Sequence, residues 1–400
     1  MERSAPAPSE TVAGLRSAAD EAARRGDLRG ARAALERAVM LDQGSVDLWM
    51  SLAGCCRGLG DFAAAGAAVE AALRLDPRSF IALLMKASLL ERAGQERASA
   101  LAYGIALTQA PPDERLDVHT REAVVRARAI YAAHNAQLEE ALKAAARRER
   151  GSKASKELLR ADVFAERLVG KRRVYHQEPV QFHYPGLPEI EFWDRGEFPW
   201  IEALEAAAED IRQELVAILR EDGDEIGPYV NYPDGVPLDQ WAELNRSPRW
   251  GAFHLFHEGR EVAWNAKRAP KTMAALAQAP QPTLPNRSPA SMFSVLQPRT
   301  RIPPHTGIAN VRLVTHLALI VPDGCGFRVG SETRHWREGE AWVFDDTIEH
   351  EAWNDSDEPR TILICDVWNP RLSADERETV AALMAALDAF NQAAPAGGSL

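Results

Sequence analysis

Two hydrophobic rhythms divide the chain. From 10 to 112, apolar and small residues recur at helical spacing, and the pattern repeats itself at a step of 34 residues. Gly26, Gly60 and Gly94 hold one position, Ala19, Ala53 and Ala87 a second, Ala38, Ala72 and Ala106 a third, and Leu35, Val69 and Tyr103 a fourth. Small residues let antiparallel helices approach closely. A glycine ends the first helix of each unit, and Asp76-Pro77, echoed by Asp42-Gln43 and Ala110-Pro111, stops the second. About two and a half helix pairs are predicted. A plain alanine-rich bundle would share the composition but not several series in step at one period. From 113 to 171 the pattern stays helical and charged, as expected of helices that cap the array and lead out of it. From Tyr175 onward Pro, Trp, Phe and Tyr become frequent and β-branched runs appear, which places a domain boundary near Gly170. The second half, 175–391, opens with an irregular Pro/aromatic stretch, and one amphipathic helix is predicted over 201–220. Short strands follow in WGAFHLF, SMFSVLQP, NVRLVTHLALIVPDG, GFRVG, EAWVFDD and RTILICDVWNP. Short strands punctuated by turns predict an antiparallel jelly roll. The expected fold is therefore multidomain α + β, a helical array followed by a double-stranded β-helix with flanking helices.

The 34-residue period with small residues at fixed places resembles the tetratricopeptide repeat. Composition adds limits. With 46% hydrophobic and 26% charged residues, the chain can build two real cores. A formal net charge of −11 argues against a nucleic-acid partner, because phosphate contacts need a basic stripe. Cys55, Cys56, Cys325 and Cys365 lack zinc-finger spacing, and free thiols are expected. No apolar run has the length of a signal peptide's core at the start or of a membrane span anywhere, so no integral membrane segment and a cytoplasmic setting are expected. Met1 to Glu10 and Ala393 to Leu400 read as frayed tails.

The chemistry concentrates in the second half. His305, in IPPHTG, is expected just before a strand, and His350, in DDTIEHEAW, just after another. Two imidazoles at strand ends suit Fe(II), Zn(II) or Cu(II). Arg360 follows across the turn NDSDEP, on a strand where Arg360, Ile362, Ile364, Asp366 and Trp368 share one face. A buried arginine on an apolar face needs an anion. That anion is either a carboxylate ligand held by the guanidinium fork or an internal partner such as Asp366. Arg312 and His316 share a face around Val314, and Ser294 on the preceding strand could donate to the same carboxylate. Two imidazoles on one metal with an inward arginine a hairpin away suggest an oxygenase that uses iron and 2-oxoglutarate.

The segments PPHTGIANVRLVTHLALIVP, WREGEAWVFDDTIEHEAWNDSDEPRTILICDVWNP, REVAWNAKRAPKT and FHYPGLPEIEFWDRGEFPW resemble the aspartyl/asparaginyl β-hydroxylase family, in order, from about His183 to Leu372. The resemblance implies a cofactor set of Fe(2+), 2-oxoglutarate as cosubstrate and O2. It implies His305 and His350 as the iron ligands. Gly307 stands where most related oxygenases carry a third, carboxylate ligand, so Gly307→Asp is expected to be partly tolerated. The resemblance further implies Asp346 close to a metal-bound water, Arg360 and Ser294 on the 5-carboxylate of 2-oxoglutarate, and His316 in the cosubstrate pocket. Arg312 and Trp250 are implied near the substrate. Val314 departs from some members, which have a second arginine there, and the cysteine pair of animal members is absent from NAKRAPKT. The implied activity is hydroxylation of Asp or Asn in a peptide or protein, recruited by the repeats. A fatty-acyl or small-molecule hydroxylase is the alternative, and a non-catalytic interaction protein built on the repeats is a third reading.

Overall fold

The computed structural model describes residues 11–150, 156–221 and 226–393. The expectations for the tails fall almost wholly outside these residues. The chain divides into two compact units, Met1–Lys171 and Arg172–Leu400, and each is described by itself.

The first unit holds three complete helix pairs, half a pair more than the sequence suggests: α1 (Val12–Arg24) with α2 (Leu28–Leu41), α3 (Val46–Gly58) with α4 (Phe62–Leu75), and α5 (Phe80–Arg92) with α6 (Glu96–Thr108). The repeat positions explain themselves. Gly26, Gly60 and Gly94 have φ of +79°, +78° and +72°, the left-handed conformation that turns a chain out of a helix at little cost for glycine. The next residue starts the second helix, and the carboxylates of Asp27 and Asp61 accept from the backbone N–H of Gly30 and Ala64. Gln95 makes no such side-chain cap. Ala19, Ala53 and Ala87, with Ala38, Ala72 and Ala106, are all buried where helices cross. The long α7 (Val118–Arg150) then packs on α6, and α8 (Lys156–Leu168) follows.

In the second unit the single helix expected over 201–220 is two, α9 (Ile201–Ala206) and α10 (Ala208–Glu221). Eleven strands are described: β1 (Gly227–Pro228), β2 (Trp250–His257), β3 (Arg260–Glu261), β4 (Ser291–Leu296), β5 (Thr300–His305), β6 (Arg312–Ile320), β7 (Cys325–Val329), β8 (Glu332–Arg334), β9 (Ala341–Phe344), β10 (His350–Asn354) and β11 (Arg360–Trp368). The short helices α11 (Ala263–Ala266) and α12 (Pro270–Leu276) lie between β3 and β4, and α13 (Ala374–Ala393) closes the unit. A larger sheet runs β1-β2-β4-β11-β6-β9, with β3 on β2, and a smaller one runs β5-β10-β7-β8. Their ladders are antiparallel throughout. Alternation along the strands sends Phe253, Phe293, Leu317 and Leu363 to the face covered by Leu204, Ile211, Leu215 and Ile218 of α9 and α10. The opposite face meets the smaller sheet in a second core that joins Leu296, Val314, Ala318 and Ile362 to Phe327, Val329 and Ala352. The result is the expected mixed α + β architecture, a helical array followed by antiparallel sheets.

Candidate active site

Five strands that the sequence pattern does not reveal are β1, β3, β5, β8 and β10, and two of these carry the histidines. β5 reads TRIPPH, and its two prolines hide it. Proline is tolerated on an edge strand, and β5 is the edge of its sheet. His305 therefore ends a strand, and His350 opens one rather than following one. The two residues are cross-strand partners in the β5–β10 ladder, which brings their ring centroids to 4.0 Å. In each ring Nδ1 is tied to a backbone carbonyl two residues earlier, Pro303 at 2.8 Å and Ile348 at 3.1 Å. A carbonyl only accepts, so Nδ1 carries the proton and Nε2 keeps a lone pair. Burial, with the neighbouring imidazole adding to it, lowers the pKa of His305 to about 3. Burial also takes His350 down to about 4. Both rings are neutral at ordinary pH, as metal ligands must be.

Asp346 lies beside them. Its Oδ2 accepts from Nη2 of Arg312 at 3.0 Å, and its buried Oδ1 has no partner among the described residues. The neighbouring backbone at Gly307 is fixed to the same residue, its N–H donating to the carbonyl of Asp346 at 2.6 Å. A Cβ at position 307 would stand 2.1 Å from Oδ2 of Asp346 and 2.3 Å from its Cγ. A side chain at position 307 would therefore compete with the carboxylate of Asp346 for the same space, and Gly307→Asp is accommodated only by shifting Asp346. Among the described residues no cluster of three or more His, Cys, Asp or Glu side chains could hold a metal ion, so the imidazole pair stands without a third such group.

Arg360 opens β11 and is only 1% exposed. Its Nε and Nη1 have no hydrogen-bond partner among the described residues, and its guanidinium lies over the Trp336 ring at 5.0 Å. Burial pushes its pKa down to about 10, the mark of a cation without a sufficient counter-charge. Asp366 is not that counter-charge. It accepts from the Ser288 hydroxyl and from Ala290 N–H at 2.9 Å. Ser294 sits on β4, where its partner on β11 is Ile362. Its Oγ accepts from Nε1 of Trp250 at 3.1 Å, which leaves the hydroxyl proton to donate elsewhere. His316 on β6 lies among Phe327, Phe344 and Trp336, with Nδ1 unpartnered. Burial first, then the charge of Arg360, hold its pKa well below the ordinary imidazole range.

All eight residues singled out in the sequence line one cleft of about 1470 Å³. Sequence reasoning missed two aromatic neighbours that shape its mouth. Tyr229 stacks on Trp250 at 4.0 Å, and Trp241 meets the His305 ring edge-on at 4.9 Å. Tyr229 follows the two-residue strand β1 and Trp241 closes a single 3-10 turn over Asp239–Trp241, both too short for a strand or helix period to mark.

Residues 205–370 match the family model for aspartyl/asparaginyl beta-hydroxylase, and residues 22–89 match a tetratricopeptide repeat. The mouse aspartyl/asparaginyl beta-hydroxylase is 39% identical over 150 residues, 37% of this chain and 20% of that protein. An ornithine lipid ester-linked acyl 2-hydroxylase of Rhizobium tropici is 33% identical over 196 residues, 48% of this chain and 66% of that one. The match thus spans about a fifth of the mouse relative's length. Among solved structures, the Yersinia enterocolitica type III secretion chaperone SycD is similar over 32% of this chain and 96% of its own, at 16% identity and a TM-score of 0.29.

Proposed function

We propose, from the premise that residues 205–370 belong to the aspartyl/asparaginyl β-hydroxylase family and stand behind a tetratricopeptide array, that this chain is an iron(II)- and 2-oxoglutarate-dependent hydroxylase of Asp or Asn side chains in a peptide or protein. The donor set fits such a group. Two neutral imidazoles with their Nδ1 atoms occupied offer Nε2 to one metal ion. Two unpartnered nitrogens of a buried guanidinium await an anion. Iron, when bound, supplies dioxygen activation coupled to decarboxylation of the keto-acid, which yields succinate, carbon dioxide and a hydroxylated substrate.

The chain's own residues perform the rest. His305 and His350 hold the metal. Arg360 binds the distal carboxylate of 2-oxoglutarate with a fork that a lysine cannot reproduce, and Ser294 adds a hydrogen bond from its free proton. His316 packs as a neutral ring beside this pocket. Asp346 has an unpartnered Oδ1 that would accept a hydrogen bond from water at the metal when one is bound, while its Oδ2 fixes Arg312 at the substrate side. Trp250, stacked between Tyr229 and Trp241, walls the substrate cleft and keeps Ser294 in place. The repeats recruit the peptide partner.

The observation that carries this reading is Arg360, a fully buried fork with open donors. Removing one partner of a buried ion pair costs about 3–5 kcal/mol, or roughly a hundred- to a few-thousand-fold in affinity. The test is the 2-oxoglutarate dissociation constant with Mn(II) in place of iron, without oxygen. Arg360→Ala is expected to weaken binding by that factor, Arg360→Lys by less, and Ser294→Ala by about 1–2 kcal/mol. Equal affinity in wild type and Arg360→Ala would overturn the assignment.

A second reading changes the substrate only. One wall of the cleft is apolar, with Phe182, Ile308, Leu383 and Met384, and the Rhizobium tropici relative is an acyl 2-hydroxylase. An acyl chain along that wall would be hydroxylated by the same centre.

A further inference from the structure

The cleft has no uncommitted cation for an acidic substrate. Among the described residues, its lining contains three arginines and no lysine. Arg360 is committed to the cosubstrate in the reading above, on which this inference rests. Arg287 is held by both oxygens of Asp388, at 2.7 and 2.8 Å. Arg312 is held by Asp346 at 3.0 Å. On the neighbouring strand Asp366 faces the same space. The β6–β11 ladder sets it opposite Val314, one step along the shared face from Arg312. Asp366 is 3% exposed, and its two oxygens are held by Ser288 and Ala290, both uncharged donors. Burial raises its pKa and the charge of Arg312 opposes that rise, so the one Arg312 guanidinium serves both Asp346 and Asp366. Val314, between Arg312 and His316, brings no charge. Glu178 and Asp239 also line the cleft, whereas the lining Glu349 is paired with Arg328 at 2.8 Å and Glu258 stands 4.0 Å from His257.

We infer that the substrate-side pocket selects a side chain without negative charge, so that asparagine is preferred to aspartate, with Asp346 and Asp366 as the specificity-determining residues. An aspartate carboxylate entering beside Arg312 would be the third anion around one guanidinium. Each unscreened like charge in a partly buried site is worth about 1–2 kcal/mol of repulsion at separations of several ångströms. An asparagine amide carries no such charge, and its N–H groups find acceptors on the carboxylates that line the pocket. The single hydrogen-bonded ion pair Arg312–Asp346 leaves the site discriminating rather than closed.

The test compares two peptides identical except for Asn or Asp at the target position. Each is added to the full chain with Fe(II), 2-oxoglutarate and oxygen, and succinate release and the +16 Da product are measured. The expected result is a kcat/KM for the asparaginyl peptide about tenfold or more above that for the aspartyl peptide. Asp366→Asn removes the charge while its Oδ1 still accepts from Ala290 N–H and its Nδ2 donates to the oxygen of the Ser288 hydroxyl, which must turn its proton away, and it should narrow the ratio by raising the aspartyl arm. Equal values for the two peptides, or a preference for aspartate, overturn the inference, as does equal failure of both. A wild-type preference that Asp366→Asn leaves unchanged removes Asp366 from the assignment. Failure of the hydroxylase reading itself looks different: 2-oxoglutarate neither binds with Mn(II) nor gives succinate in the absence of peptide.

Discussion

At the scale of single residues, the site is defined by groups whose needs the fold leaves open. Among the described residues Arg360 lacks an anion and Asp346 lacks a donor on Oδ1, and two imidazoles hold lone pairs toward one space. Gly307 shows the opposite, a position with no room left. Gly307→Ala would drive a methyl group into the Asp346 carboxylate. We expect it to displace Asp346 and reduce peptide-dependent turnover at least tenfold, an effect on the order of 1.4 kcal/mol. Steady-state kinetics with a melting control would check this, and turnover equal to wild type would show that Asp346 moves aside freely. The histidines give a pH prediction. Burial lowers both folded-state pKa values from 6.5, to about 3 for His305 and about 4 for His350. Below pH 6.5 the unfolded chain therefore binds protons that the folded chain refuses. The stability contribution is complete above pH 6.5 and is lost as pH falls from there toward 4 and then 3. Urea denaturation of metal-free protein at pH 7 and pH 5 should show a smaller loss in His305→Asn/His350→Asn than in wild type.

At the scale of elements, the helical half was nearly transparent in sequence and the histidine-bearing strands were not. A 34-residue step sets identical small residues against each other, so the repeat is written in residue identity as well as in period. The strands of the larger sheet were legible because they alternate or run apolar. β5 and β10 were not, because TRIPPH has two prolines and HEAWN has one strongly apolar residue among polar ones. Their pairing is a property of the sheet, so the sequence offered two imidazoles at strand ends for one metal but not the cross-strand ladder that joins them. The break at Ala207 between α9 and α10 was equally hidden, since the apolar stripe continues across it. The array yields a prediction with two signs. Gly60 sits at φ +78°, so Gly60→Ala should destabilise by about 1 kcal/mol. Gly54 lies within α3, where an added Cβ meets nothing within 4 Å, so Gly54→Ala should stabilise by about 0.5–1 kcal/mol. Thermal unfolding of the two variants should move in opposite directions, and a shift of the same sign would mean that packing, not backbone conformation, governs both.

At the scale of the whole molecule, chemistry and repetition fall on different units. Every residue that lines the cleft lies between Glu178 and Met384, inside the unit Arg172–Leu400. The array has its own cores, and none of its described residues is among those that line the cleft. A chain shortened to begin at Arg172 should therefore keep 2-oxoglutarate binding and peptide-independent succinate release within about threefold of the full chain, since a shift below 1 kcal/mol is all that distant, independent contacts usually carry. Hydroxylation of a protein substrate should respond differently. A second attachment point converts capture of the target side chain into a local event, and losing it typically costs 10²-fold or more in apparent affinity for a linked pair of weak sites. We expect kcat to survive and KM for the protein substrate to rise, while a short peptide carrying only the target residue is handled equally by both chains. The measurement is a KM-against-kcat comparison of the two chains on the two substrates. If the shortened chain matches the full chain on both, the array does not recruit substrate. If it loses peptide-independent turnover as well, the array supports the folding of the hydroxylase unit instead.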